Sequence, residues 1–413
     1  MTIVEFFDKT AIENVAGALL CAPEEVVFVG GSRRQMERSA QYYRRALLCR
    51  GIETEFSFCT VNKNNLQNIY TVLEKIVTEH GNCTFDLTGG EDLYLVAVGM
   101  LLATYPERVN CHRFNFQNNT VLDCDANGEV CSARSFSVSV EENVRIHGGE
   151  IIRDKEDSLA TFDWDWSDDF LADVDAMWAI CSRDPRKWNA QIHTLGRIGE
   201  SFEMPETLGM RFDPALTAGV LRGRGIHTSV IPSFLAELEQ QKLISDLSVE
   251  DEHIAFTFKN EQVKRCLTVA GQILEIRIAS RIMGLTERDG QRFYNDCRVG
   301  VSIDWDGEES RDEKFRTVNE IDVLAMRGAI PIFISCKNGD FDTEELYKLS
   351  TVAERFGGRY AKKVLVAADM DKLGAKGEYL RARAADMDIR LLDNVAELDN
   401  AELDRILRSL WLN

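Results

Sequence analysis

From residue 25 onward, short apolar runs alternate with stretches whose apolar positions fall at helical spacing. EVVFVGG predicts a buried strand ending in a glycine turn, SRRQMERSAQYYRRALLCRG a helix that stops at Gly51, and IETEFSFCTV a second strand. In NNLQNIYTVLEKIVTEHG the apolar residues Leu66, Ile69, Val72, Leu73, Ile76 and Val77 mark one helical face. NCTFDLTGG predicts a third strand that runs into an apolar helix over LYLVAVGMLLATY. Strands alternating with helices predict a parallel, Rossmann-like sheet over residues 1–150, with right-handed crossovers.

Such sheets bind ligands beyond the carboxyl ends of their strands. Three loops occupy that position: GGSRRQ, TVNKNN and LTGGED. Gly30, Gly89 and Gly90 allow close backbone approach, Ser32, Thr60, Asn62 and Thr88 offer hydroxyl or amide partners, and Arg33 and Lys63 offer charge for phosphate.

Residues 151–258 have a different texture. HGGEIIRDKEDSLATFDWDWSDDFLADVDAMWAICSRD carries many acids between aromatic residues, a solvated connector in which Trp164, Trp166, Phe170 and Trp178 are expected to pack against a neighbouring domain. The stretch 208–258 then predicts two short helices and a small hairpin, an order that resembles a winged-helix unit.

Over 259–413, KNEQVKRCLTVAGQILEIRIASRIM predicts one helix with Glu275 in its interior, followed by strands in RVGVSIDWDGE, VNEIDVLAMRGAIPIFISCKNGD, KKVLVAADM and DIRLLD. The period of two places Glu320 and Asp322 on one strand face, and Ser335 and Lys337 on one face of the next. A hairpin through MRGA would bring Ser335 and Lys337 beside Asp322.

With 413 residues, the chain is long enough for two or three domains. Its formal net charge of -20 argues against non-specific adhesion to phosphate backbones, yet leaves local basic patches open, and Arg359, Lys362 and Lys363 cluster just before a predicted strand. The 11 cysteines are scattered without a CxxC pair, which speaks against a cysteine zinc site and fits a reducing compartment. MTIVEFFDKT does not read as a signal peptide, and the apolar helix is too short to cross a bilayer, so a cytoplasmic protein with no membrane partner is expected.

DLTGGEDLYLVAVGML resembles the ligand loop of CARF domains, which bind cyclic oligoadenylate second messengers in type III CRISPR immunity. Members usually carry Asn-Leu-Thr-Gly-Gly-Thr-Lys; here Asp86 replaces the Asn, and Glu91 and Asp92 replace the Thr-Lys pair. The helix acid, the strand Asp and the neighbouring strand's Lys resemble the PD-(D/E)xK nuclease layout, and CARF-linked nucleases join one domain of each kind.

The resemblance implies an N-terminal Rossmann-like CARF domain, a connector and a C-terminal restriction-endonuclease-like α/β domain. It also implies a homodimer activated by a cyclic oligoadenylate, cyclic tetra-adenylate foremost, and cutting DNA or RNA. Asp322 and Glu275 would hold Mn2+ or Mg2+ with the carbonyl of Cys336, Lys337 would be the catalytic lysine, and Arg359, Lys362 and Lys363 would contact nucleic acid. Ser335 stands where the motif has an acid; its hydroxyl would bond a metal-bound water, and Glu320 would be the substitute carboxylate. The same departures leave a second reading open, a nucleotide sensor whose nuclease domain is inactive.

Overall fold

The computed structural model describes residues 1–412 apart from 125–129, 155–156, 158, 202–207, 224–228 and 308–316. Its first sheet has seven strands: β1 (Thr2–Phe6), β2 (Glu25–Gly30), β3 (Glu55–Thr60), β4 (Cys83–Asp86), β5 (Val109–Asn115), β6 (Thr120–Cys124) and β7 (Val130–Ser135). They lie in the order β3-β2-β1-β4-β5-β6-β7, the first five parallel and the last two added antiparallel. The chain order reverses between β1 and β4, which opens a crevice at their carboxyl ends.

Helices α1 (Ala16–Cys21) and α2 (Arg33–Leu48) cover one face of this sheet, and α3 (Leu66–His80) and α4 (Asp92–Thr104) cover the other. The central strand β1 escapes the sequence reading, which begins its alternation at residue 25. TIVEF is short and carries an acid in the middle, so its pattern is weak although four of its five residues are buried.

The connection passes through α5 (Val140–Ile146) and β8 (Glu150–Ile151) to α6 (Asp168–Cys181) and α7 (Pro185–Ser201). Next come β9 (Gly209–Phe212), α8 (Pro214–Gly223), α9 (Pro232–Gln240), β10 (Ile244–Val249) and β11 (Ile254–Phe258), whose strands form a three-stranded sheet in the order β10-β11-β9. Helices followed by a hairpin that pairs with an earlier strand match the winged-helix layout; residues 224–228 of this stretch lie outside the described residues. Phe170 and Trp178 are buried, with Trp164 and Trp166 packed on the same cluster.

The stretch expected as one helix is two, α10 (Glu261–Thr268) and α11 (Gln272–Gly284). The break falls at Gly271, whose φ of +90° suits glycine, so Glu275 lies in the first turn of α11 rather than in a helix interior.

The remaining elements are β12 (Asp296–Asp304), β13 (Val318–Arg327), β14 (Ile330–Lys337), α12 (Thr343–Gly357), β15 (Lys362–Ala367), α13 (Ala375–Asp386), β16 (Arg390–Leu392) and α14 (Asn400–Leu407). The second sheet runs β16-β15-β14-β13-β12-β8, with β14, β15 and β16 mutually parallel and the other pairs antiparallel. The hairpin through Gly328 and Ala329 forms as expected, pairing Arg327 with Ile330.

One apolar cluster runs from the α2 face of the first sheet, through Val140, Val144 and Ile146 of α5, to Val301, Ile303, Phe333 and Leu365 of the second. Polar contacts stitch the same seam. Asn143 Nδ2 donates to the Phe356 carbonyl at 2.7 Å, Val138 N to the Gly328 carbonyl at 2.9 Å, and Arg45 reaches the carbonyls of Gly148 and Gly307.

Candidate functional site

At the carboxyl end of β14, the second sheet gathers the chemistry that the sequence singles out. Asp322, Lys337, Glu275 and Cys336 line one cleft of about 540 Å³. Asp322 Oδ2 accepts the Cys336 N–H at 2.6 Å and the Ser335 hydroxyl at 3.1 Å, and Lys337 Nζ stands 3.6 Å from the same oxygen. All three contacts fall on Oδ2, which leaves Oδ1 clear of them. Glu275 Oε2 is steadied by Gln272 Nε2 at 2.7 Å.

Electrostatics sharpen this picture. Burial pushes the Glu275 carboxyl well above the usual carboxylate range, and the charges of Asp322 and Glu320 push the same way. Glu275, Asp322 and Glu320 thus put carboxyl oxygens of one chemistry in mutual electrostatic reach, the oxygen ligands a hard cation takes. Glu320 contributes from the rim, exposed and outside the residues that line the cleft. Burial alone would weaken the Lys337 ammonium, but the carboxylates of Asp322 and of Glu345, 2.8 Å away, hold its pKa above the ordinary lysine value. Lys337 is therefore charged throughout the neutral range.

Sequence reasoning missed several residues here. Glu345 on α12 is the closest partner of Lys337, and Arg186 and Asn189 from α7 form a wall of the cleft. Asn338 Nδ2 donates to Asn189 Oδ1 at 3.0 Å, and Arg186 pairs with Asp340 at 3.2 Å, so the middle segment is tied to the end of β14. Arg186 lies in the first turn of α7, in the stretch DPRKW, with no sequence signal linking it to the distant strand β14.

The basic cluster before β15 goes elsewhere. Ile332 pairs with Lys362 and Lys337 with Ala367, so Lys362 sits five residues down the strand from the centre, about 16 Å at a strand's rise. Arg359 pairs with Glu13 of the first half, and Lys363 Nζ donates to the Met387 carbonyl at 2.5 Å and to Ser350 at 3.3 Å. Arg359, Lys362 and Lys363 are thus not brought to the cleft, because three cations ahead of a parallel strand necessarily lie at its opposite end.

In the first sheet the three loops do converge beyond β2, β3 and β4. Gly30 closes β2, and Ser32 precedes the first turn of α2 without using its own side chain as a cap, which leaves that turn's N–H groups open to an anion. Arg33 folds back onto Glu37 at 2.8 Å and over the Phe58 ring. Thr60 is exposed at the end of β3, and the Asn62 side chain is engaged within its own loop, accepting from Asn64 N at 3.1 Å.

Lys63 Nζ binds Glu91 at 2.7 Å, so one of the two loop acids is already neutralised by the lysine expected to face phosphate. Thr88 Oγ1 accepts the Phe114 N–H at 2.8 Å, which leaves its hydroxyl proton to donate. A Cβ on Gly89 would come 3.0 Å from the Phe6 carbonyl, and Gly90, at φ +103°, would bring one 3.1 Å from the Phe6 ring. The glycine pair is what lets the loop lie on the end of β1.

No family model matches the chain, and no curated protein matches it. Solved structures do. Protein VC1899 from Vibrio cholerae superposes with a TM-score of 0.72 at 16% identity, over 100% of this chain and 98% of that one. Can2 from Sulfobacillus thermosulfidooxidans, solved in complex with cyclic tetra-adenylate, superposes with a TM-score of 0.63 at 15% identity, over 98% and 97%. The chain shares one α/β fold from end to end with VC1899 and Can2.

Proposed function

We propose that this protein is a metal-dependent nuclease switched on by a cyclic oligoadenylate. The observation that carries the reading is the convergence of Glu275, Asp322 and Lys337 in one cleft, with the Cys336 amide pinned to Asp322. Glu275, Asp322 and the Cys336 carbonyl would hold a divalent cation, Mn2+ or Mg2+, which supplies Lewis-acid stabilisation of charge on the phosphate. Lys337, charged and held between Asp322 and Glu345, orients the attacking water and offsets negative charge as the phosphodiester is attacked. Arg186 offers a cation for the substrate backbone from the far wall.

The sensing end is supported by the loop glycines seated on β1, the open N-terminus of α2 and the whole-chain likeness to Can2, whose structure holds cyclic tetra-adenylate. The Lys63–Glu91 bridge would be exchanged for a Lys63–phosphate contact when the ligand enters.

The exposed face of α4 supports a homodimer. Its exposed residues Leu95, Val96, Gly99, Met100 and Ala103 form one stripe, and a helix apolar on every side belongs in an interface rather than in water. A two-fold ligand shared across that stripe would bias the two nuclease domains together.

The test is cleavage of labelled single-stranded DNA, single-stranded RNA and plasmid with Mn2+ or Mg2+, with and without cyclic tri-, tetra- and hexa-adenylate. Ligand-dependent cutting lost in Asp322→Ala supports the proposal; tight ligand binding with no cutting under either metal refutes it. That second outcome would favour a sensor with a retired nuclease, the reading to which Ser335 lends weight by donating to Asp322 where an acid would bind metal.

A further inference from the structure

Glu5, Asp86 and His112 stand side by side in the first sheet, away from the cleft. Register pairs Glu5 with Asp86 across β1 and β4, and Asp86 with His112 across β4 and β5. Residues paired in this way point to the same face, here the face covered by α1. None is more than 1% exposed, and one donor atom from each lies within 4.8 Å of the other two.

The polar atoms of this row are not satisfied by the protein. Glu5 Oε1, Asp86 Oδ2 and both ring nitrogens of His112 lack a hydrogen-bond partner. His112 Nε2 lies 3.1 Å from Asp86 Oδ2, yet the pair does not meet hydrogen-bond geometry. Among the described residues, His112 is the only ion-pair partner of Asp86, and Glu5 has none. Two charged carboxylates sealed from water are strongly destabilising, so this row must either share a proton or hold a cation.

The space above them is kept open. A Cβ on Gly17 of α1 would lie 2.7 Å from Glu5 Oε1 and 3.1 Å from His112 Nε2, so a larger residue there would intrude where the donors converge.

We infer that Glu5, Asp86 and His112 hold a divalent transition-metal ion, Zn2+ by the donor set, in a site buried beside the Leu87–Gly90 loop. One imidazole with two carboxylates suits Zn2+ and its neighbours rather than Mg2+, which separates this site from the all-oxygen nuclease centre. The ion ties together three adjacent strands, β1, β4 and β5. Asp86 also accepts the Thr88 N–H at 2.7 Å through Oδ1, so the ion fixes the loop through Asp86. That effect on ligand binding rests on the proposed sensing function; the metal site itself does not.

The experiment measures metal by mass spectrometry in the full chain after chelator dialysis, re-equilibration with Zn2+ and desalting, with circular dichroism to check folding. The variants are Asp322→Ala, Glu5→Gln and His112→Gln. The expected result is about one equivalent of Zn2+ retained by the native chain and by Asp322→Ala, and under roughly a tenth of that by Glu5→Gln and His112→Gln. No retained metal in the native chain, or equal retention in folded Glu5→Gln, overturns the inference. Glu5→Gln is isosteric and neutral, so it folds even if the row only shares a proton, and it decides the question should His112→Gln fail to fold.

Discussion

Ser335→Asp restores the acid of the nuclease motif, and its consequences can be worked from the geometry. The serine hydroxyl now donates to Asp322 Oδ2 at 3.1 Å. An aspartate in its place puts a second carboxylate against Asp322, and two like charges at about 4 Å repel by roughly 4 kcal/mol at an effective dielectric near 20. Lys337, 3.6 Å from Asp322, and solvent at the cleft mouth cancel part of this, so the metal-free protein should lose about 1–3 kcal/mol at neutral pH.

The sign with pH follows. The pair raises the carboxyl pKa in the folded state, so the penalty is present at neutral pH and fades as pH falls and one carboxyl takes up a proton. With metal the same charge becomes a ligand: a tenfold gain in affinity adds about 1.4 kcal/mol at saturating Mn2+. Thermal melting of native and Ser335→Asp protein, in chelator and in Mn2+ at two pH values, reads all three effects. A variant that melts with the native protein in chelator at neutral pH, or that gains no more than it from Mn2+, would refute the reasoning.

Lys337→Ala should lower ligand-stimulated cleavage at least about 100-fold while Mn2+ still raises the melting temperature; cutting within a few-fold of native would move the chemistry elsewhere. Gly90→Ala forces a Cβ into the Phe6 ring at φ +103°, a strain of about 1–3 kcal/mol, so cyclic tetra-adenylate affinity by calorimetry should fall about tenfold or more, and an unchanged value would remove the loop from the binding site. Leu95→Asp with Met100→Asp places charge on the α4 stripe and should give a monomer by light scattering that no longer responds to activator; a dimer of native stability would locate the interface on another surface.

Periodicity made much of this molecule legible. The runs that became β2, β3 and β4 are long enough to show, and the alternation in EIDVLA and FISCK set Asp322 opposite Ser335 and Lys337, as the contacts around Asp322 bear out. Local pattern says nothing of which end of a strand meets which site, so the basic cluster at 359–363 looked useful until parallel pairing carried it away from Lys337. Arg186 and Glu345 reach the cleft only through packing of α7 and α12. Glu5 is the sharpest case: an acid inside TIVEF obscured a strand, and the burial of that acid shows why the strand matters.

The apolar seam through α5 has a consequence for how such proteins can be rearranged. Were the halves beads on a string, a sensor from one relative could be spliced to an effector from another, and evolution could shuffle them freely. Here α5 and β8 are sewn into the second sheet while α2 rests on α5, and the Gly149 backbone lies so close to the Phe356 ring that a Cβ there would collide with it. A graft that cuts near residue 150 would bare oily surface on both pieces. Chimeras of this architecture should keep α2, α5 and α12 from a single parent, and lineages that exchange one half would have to carry this seam with them.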